Sequence, residues 1–334
     1  MRKKDKFYPI DKKKILQSFD ESQLSQALQQ MLLIRNFEIR AESAYQQGKI
    51  GGFFHSYIGQ EAVQTAASMA MGKDNLWVTS YRCHSLALLL GATPNEIMAA
   101  LYGKKTGNAM GRGGSMHLFT SKLLGGHGIV GGQIPIGIGA GFSIKYKQDI
   151  SQASICFMGD GAVAQGSFHE SLNIASLWDL PCIFVIENNQ WGMGTAVNKA
   201  ISVDYIAEKK APGYNMEGFS LDGMDFFHCY GAFKELYNKV LKTQRPILIE
   251  VFTDRFKGHS VSDPGLYRSK ESLSKSMERD PLELLKQDVI HHGITEEQIQ
   301  IWNKDAKKLV KEAMTYADES PEPELASLEE DVFV

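Results

Sequence analysis

The chain has 334 residues, enough for one large α/β domain with extensions or two modest domains, and 43% hydrophobic content suffices for a sizeable core. A net charge of −3 argues against nucleic acid and against an anionic membrane surface as partners. The four cysteines (Cys83, Cys156, Cys182, Cys229) form no CxxC pair, which fits reduced, buried thiols in a cytoplasmic protein rather than a disulfide scaffold.

In chain order, the basic N-terminus MRKKDKFYPIDKKK lacks the apolar stretch of a secretory signal and reads as a solvated arm over residues 1–20. A long helix is expected over Ser22 to Gln47, opened by Asp20 or Ser22 and closed by Gly48, with Leu24, Leu28, Met31, Leu32 and Phe37 on its core face. A glycine-rich loop, GKIGGFFHSYIGQEA, leads into a second helix from Gln60, and a short strand over Leu76 to Thr79 ends at Ser80-Tyr81-Arg82. The segments GNAMGRGGSMHLF and GGHGIVGGQIP read as loops. Leu123 to Ile144 is uncharged and long enough to raise the question of a membrane span, but eight glycines, Pro135, His127 and Gln133 make it a buried glycine-rich segment instead. Pro135 suits the first turn of a helix, IPIGIGAGFSIKYK, whose Gly137, Gly139 and Gly141 are tolerable where a neighbouring helix or subunit packs very close.

The most informative stretch follows. An apolar run from Ala153 to Met158 turns through Gly159-Asp160-Gly161 into a helix-like segment, and a second run from Cys182 to Ile186 ends in Glu187-Asn188-Asn189. This is the pattern of a β-α-β unit with two parallel strands. Asp160 and Asn189 then project from the carboxyl ends of those strands, where open α/β sheets bind ligands. A carboxylate and an amide oxygen there suit a hard six-coordinate cation such as Mg²⁺, completed by water and phosphate oxygens. Gly159 and Gly161 let the backbone turn tightly and approach that phosphate. Beyond it, Val197 to Tyr214 reads as mixed and surface-lying, and Pro246 to Thr253 as a strand running into DRFKGHSVSDPGLYR, a loop with an Asp-Pro-Gly turn. Glu296 to Ala317 is an amphipathic helix through Ile299, Trp302, Leu309, Val310 and Ala313, and the acidic tail ESPEPELASLEEDVFV is expected to wrap a partner or stay mobile. No P-loop GxxxxGK[ST] occurs, which weakens a nucleotidase or kinase reading. The expected organisation is an arm over 1–20, one α/β domain over 21–290, and a C-terminal helix with acidic tail over 291–334.

GDG followed after 26 residues by NN resembles the diphosphate-binding motif of thiamine-diphosphate enzymes. From Leu32 to Leu285 the sequence resembles the α subunits of the 2-oxo-acid dehydrogenases, most closely those of the pyruvate dehydrogenase family. The strings that carry the resemblance are GFFHSYIGQEA, SYRCHS, GRGGSMH, GGHGIVGGQIP, the GDG…NN unit, WGMGT, LDGMD and GHSVSDPG, in that order. The resemblance implies a thiamine-diphosphate-binding fold, a parallel sheet flanked by helices that carries the diphosphate half of the cofactor site. It implies thiamine diphosphate and Mg²⁺ as cofactors, a β subunit in an α₂β₂ heterotetramer, and a lipoyl-bearing acyltransferase as acetyl acceptor. The activity implied is oxidative decarboxylation of pyruvate. Siblings acting on branched-chain 2-oxo acids or acetoin share the cofactor site, while an inactive scaffold is opposed by intact Asp160, Asn189, His55 and His259. GRGGSMH and HSVSDPG lean toward pyruvate, and Phe53 or Phe54 would narrow the pocket.

Carried over residue by residue, the resemblance makes Asp160, Asn189 and the Trp191 carbonyl ligands of Mg²⁺. Tyr81 and Arg82 would bind the cofactor, Arg82 by clamping diphosphate oxygens. Gly128, Val130, Gly161, Ala162 and Gly192 would line it by backbone approach, with Thr120 a looser contact. His55 and His259 are the implied catalytic residues, His259 also touching the cofactor, as imidazoles that donate hydrogen bonds or protons near neutral pH. His84, His117 and His127 divide between structural hydrogen bonding and diphosphate contact. Ser260 matches a serine that is phosphorylated in eukaryotic relatives, but DPGLYR lacks the second serine often found before that tyrosine, so a regulatory role stays open.

Overall fold

A computed structural model of the chain describes residues 7–330. Of the expected arm, residues 1–6 lie outside the described part. The remainder is docked rather than solvated: Asp11 caps a short helix over Lys12–Gln17, and Phe19 packs edge-on to Tyr230 with ring centroids 4.6 Å apart.

Six strands form one parallel sheet: β1 (Leu76–Ser80), β2 (Leu123–His127), β3 (Ser154–Gly159), β4 (Cys182–Asn188), β7 (Glu217–Asp222) and β8 (Ile247–Phe252), in the order β2-β1-β3-β4-β8-β7. Between β4 and β7, Trp191–Gly192 (β5) and Thr195–Ala196 (β6) pair as a small antiparallel ribbon. Every residue of β4 and β8 is buried, as expected of parallel strands covered on both faces. Side chains alternate between the faces. Trp77, Ile155, Phe157, Ile183, Val185 and Ile249 enter the larger core, while Val78, Cys156, Met158, Phe184, Ile186 and Leu248 enter the smaller one. All four cysteines are buried and unpaired.

The long helix runs over Glu21–Gln46 and starts at Asp20, not Ser22. The Asp20 carboxylate accepts from the Gln23 amide at 2.8 Å and the Gln23 side chain accepts from the Asp20 amide at 3.1 Å, a reciprocal cap. Its Arg35, mostly buried, grips Glu61 of the next helix (Glu61–Met71) and both oxygens of Asp280 at 2.9 Å, so one guanidinium ties three segments together.

The glycine-rich stretch departs from expectation twice. Part of the expected loop GGHGIVGGQIP is β2, hidden from pattern reading because Gly125 and Gly126 contribute no side chain to it; a Cβ on Gly126 would lie 2.5 Å from the Cys83 sulfur. Nor is Leu123 to Ile144 buried as a whole. In the helix over Gln133–Tyr146, Gly137 and Gly141 press on the sheet rather than on a helix or subunit, a Cβ on Gly141 meeting the Cys182 sulfur at 2.3 Å. The opposite face leaves Phe142 and Tyr146 exposed, with Trp178 beside Phe142 at 5.8 Å. No helix of the described residues is long and apolar enough to cross a membrane.

The C-terminal helix spans Glu296–Glu319 and buries Ile299, Ala306, Val310, Ala313 and Ala317, whereas Leu309 is exposed and off the seam. The acidic tail clasps its own chain as far as it is described. The Lys105 amide donates to the Pro321 carbonyl at 3.0 Å, Lys104 pairs with Glu322, and Lys105 pairs with Glu324 at 2.7 Å. Residues 331–334 lie outside the described part.

Candidate active site

The sheet order reverses between β1 and β3: the chain leaves β1 toward β2 on one side, and β3 leads to β4 on the other. Loops diverge at such a switch point and leave a crevice at the carboxyl ends of the strands. A cavity of about 1000 Å³ lies there, lined by the residues that follow β1, β3, β4 and β8.

One wall is built from strand ends. Gly159 closes β3 opposite Glu187 of β4, so Asp160 and Asn189 leave the carboxyl ends of neighbouring strands, Asn189 one residue further along. Asp160 is 3% exposed, and burial pushes its carboxyl up to about 6, against the pull of its own backbone amide and of Arg255 and Arg82. The Asn189 amide is held loosely: its nitrogen donates to Gln60 at 3.4 Å and its oxygen accepts from the Trp191 amide at 3.3 Å. The Gln60 side-chain nitrogen is buried without a partner. Gly161 and Gly192 bring two backbones face to face, a Cβ on either lying 3.7 Å from the other's Cα. Among the described residues no cluster of three or more His, Cys, Asp or Glu side chains is placed to hold a metal. A cation here would take one carboxylate, neutral oxygens from Asn189 and the Trp191 carbonyl, and the rest from a ligand. That donor set fits Mg²⁺ on a diphosphate and does not fit a soft or ligand-rich metal site.

The facing wall is aromatic. The rings of His55, Tyr81 and His259 cluster with centroids 4.3, 4.9 and 5.6 Å apart. Arg82 staples the two loops that carry the histidines, donating to the Ser56 carbonyl at 2.7 Å and the His259 carbonyl at 2.6 Å. Two of its N–H groups are thus committed to backbone rather than to a ligand. Burial, then Arg82, lowers His55 to about 2 and His259 to about 4. Both imidazoles are therefore neutral at pH 7, which supports the hydrogen-bonding part of the expectation and not protonation of the rings. Asp263 organises the second loop: its carboxylate accepts from the His259 amide at 2.6 Å, the Gly265 amide at 2.9 Å and the Tyr267 hydroxyl at 2.6 Å.

Gly128, Val130, Ala162, Trp191 and Ser260 also line the cavity, as does His117. The Ser260 hydroxyl is mostly buried and shares a hydrogen bond with Ser262 at 2.9 Å. Thr120 is off the site. It lies before β2, at the far end of the sheet, where its hydroxyl accepts from the amides of Lys122 and Leu123 and fixes a turn. His84 is a core residue bonded to Glu38 at 3.0 Å and to the Ser115 hydroxyl at 2.9 Å, and His127 does not line the cavity. Phe53 stands at the mouth, 62% exposed, while Phe54 is buried behind it against His84. Sequence reading assigned no role to Gln60, Glu187, Arg255, Asp263 or Tyr267, all of which line the cavity. Glu187 sits inside the quoted ENN string and bonds to the Tyr57 hydroxyl and to Gln64, and burial pushes its carboxyl up to about 7. For Glu187 the available signal was a charged residue at the end of an apolar run; Gln60, Asp263 and Tyr267 lie in loops or at a helix start and follow no strand directly.

A parallel sheet with an oxygen-donor cradle at its switch point, faced by neutral imidazoles, has the architecture of an α/β enzyme with its site at the carboxyl ends of the strands. The family described as the dehydrogenase E1 component matches residues 29–326, and the chain belongs to it. The chain is 41% identical over 337 residues to the pyruvate dehydrogenase E1 component subunit alpha of Rickettsia typhi, covering 99% of both chains. It is 40% identical to the protein of the same name from Zymomonas mobilis (91% of this chain, 86% of the relative), and 37% identical to the mitochondrial one from Kluyveromyces lactis (98% and 80%).

Proposed function

We propose that this chain is the α subunit of a pyruvate dehydrogenase, decarboxylating pyruvate and passing the acetyl group to the lipoyl group of an acyltransferase. The observation that carries it is the cradle of Asp160, Asn189 and Trp191 at the switch point of a dehydrogenase E1 fold, set against His55, Tyr81 and His259. The names of the relatives support pyruvate as the substrate. Family membership points to thiamine diphosphate, and the donor set to Mg²⁺.

Asp160, the Asn189 amide oxygen and the Trp191 carbonyl would hold the cation. Gly128, Val130, Gly161, Ala162 and Gly192 line the cavity where they would approach the diphosphate by backbone, with Tyr81 and Arg82 completing its wall. When bound, thiamine diphosphate supplies the nucleophilic carbon and the electron sink for decarboxylation of a 2-oxo acid. His55 and His259, both neutral, present ring N–H groups to oxygens that gain negative charge, which works best where water is excluded. Phe53 at the mouth bounds the space for the substrate's side chain.

The apolar rim of Phe53, Ile129 and Met193 and the bare face of helix 133–146 are what a β subunit would cover in an α₂β₂ assembly, which we place in the cytoplasm. A phosphate on Ser260 would add about two negative charges beside a diphosphate and break its bond to Ser262, closing the site. Isothermal titration of thiamine diphosphate with Mg²⁺ into the chain, alone and co-expressed with a β subunit, tests the reading when followed by turnover with an artificial electron acceptor. Tight binding and pyruvate turnover only with both chains is expected. Preference for a longer 2-oxo acid would replace the substrate, and absence of binding in both samples would end the thiamine reading.

A further inference from the structure

Arg255 follows β8 and is 1% exposed. One terminal nitrogen lies 3.3 Å from His259 Nδ1, and the other donates to the Tyr267 hydroxyl at 2.8 Å. A guanidinium carries only donors, and at neutral pH it remains charged even though burial lowers it to about 10. The contact is a hydrogen bond only if Nδ1 of His259 is the acceptor with its lone pair free. A neutral imidazole has one ring proton, which must then sit on Nε2, at the edge of the ring away from Arg255.

We propose that Arg255 is a positioning residue that locks His259 in the Nε2–H tautomer, so that this histidine serves the cavity as a hydrogen-bond donor to an anionic oxygen and never as an acceptor. The other tautomer would aim an N–H at a cationic N–H. Arg255 is itself held, through Tyr267, to the same Asp263 carboxylate that accepts from the His259 amide. Ring and backbone of His259 are therefore fixed from one side by one network. Among the described residues His55 has no such partner: its Nδ1 is buried and unbonded, so none of them selects its tautomer. The two histidines are unequal by construction, one a fixed donor and one free to donate or accept. The role of that donor toward a diphosphate rests on the function proposed above; the tautomer does not.

The test uses the full chain labelled with ¹⁵N at histidine, with His259 assigned by its loss in His259→Gln. Long-range ¹H–¹⁵N correlations report which ring nitrogen carries the proton. One Nε2–H form, unchanged between pH 6 and 8, is expected in the wild type, with a mixture in Arg255→Met and recovery of the single form in Arg255→Lys, which restores a cationic donor. Inorganic pyrophosphate with Mg²⁺ should bind Arg255→Met about tenfold or more weakly, as for loss of one charge-assisted hydrogen bond, and Arg255→Lys close to the wild type. A protonated Nδ1, or an even mixture, in the wild type overturns the proposal. So does a single Nε2–H form that persists in a folded Arg255→Met protein. Failure of pyrophosphate to bind the wild type while the tautomer is as stated would instead overturn the diphosphate reading. Should Arg255→Met not fold, Arg255→Gln, whose amide can either donate to or accept from Nδ1 and so selects neither tautomer, serves the same comparison.

Discussion

The cavity has two walls made in different ways. The cradle of Asp160, Asn189 and Trp191 comes from one β-α-β unit, and its residues are placed by the main chain of adjacent strands in register. The histidine wall comes from loops far apart in sequence, 177 residues between Arg82 and His259, and is placed by side chains reaching across to backbone carbonyls. Strand ends give positions that survive loss of a side chain; stapled loops do not. Substitutions in the cradle should therefore change what binds, and substitutions behind the wall should change whether the wall exists.

The largest effect expected is on the cradle. Asp160→Ala should weaken Mg²⁺–thiamine diphosphate by at least about 100-fold, since losing even a residue that supports a metal ligand costs up to about that much, as read by titration calorimetry. Without ligand the same protein should be more stable, not less. The folded pKa of Asp160, about 6, lies above the ordinary value of 3.8, so burying the charge costs stability once pH rises through that window. Its removal at pH 7 should add on the order of 3 kcal/mol in urea unfolding. A destabilised Asp160→Ala would break the contrast between the walls.

Next comes Arg82→Met, which strands two carbonyls and should cost about 2–4 kcal/mol, with limited proteolysis cutting the loops around residues 50–58 and 254–268 sooner than in the wild type. Smaller is the pH effect of His55. Its folded pKa, about 2, lies below 6.5, so its contribution to stability is complete above pH 6.5 and is lost as pH falls toward the folded value. Because Glu187 and Asp160 shift the opposite way, the quantity to measure is the stability difference between wild type and His55→Gln, which should fall by about 1 kcal/mol per pH unit below 6.5. Smallest is Thr120→Ala: it should cost about 1 kcal/mol through the lost turn and alter cofactor affinity by less than about twofold, since Thr120 lies off the cavity. A large loss of affinity there would show that the far end of β2 is coupled to the site.

The cradle was legible because its chemistry sits in one short string, with GDG and ENN directly after apolar runs. Strands β1, β3, β4 and β8 were legible for the same reason, being apolar and punctuated. What escaped did so for physical causes. Glycines stripped β2 of its pattern, and β7, reading EGFSLD, is a half-exposed edge strand with only two large apolar residues, Phe219 and Leu221. The helix over Phe226–Thr243 went unassigned although Asp225 caps it through the amides of Phe227 and His228. Arg255, Asp263 and Tyr267 acquire their roles only from one another in space, and a loop sequence alone does not say which of its polar residues face inward. Gly137 and Gly141 announced a close approach, expected of a helix or subunit, and the partner proved to be the sheet.

The strand order also sets a timetable for biosynthesis. β7 precedes β8 in the chain yet pairs with β8 alone, and β8 must enter between β4 and β7. While a ribosome is releasing the helix over 226–243, β7 is finished and has no strand to join. The sheet closes only when β8 emerges, and the next residues delivered are Arg255, His259 and Asp263. Completion of the fold and arrival of the second histidine loop are thus nearly one event in time, so a nascent chain stalled before residue 247 would expose an unpaired strand edge together with a cavity that lacks one wall.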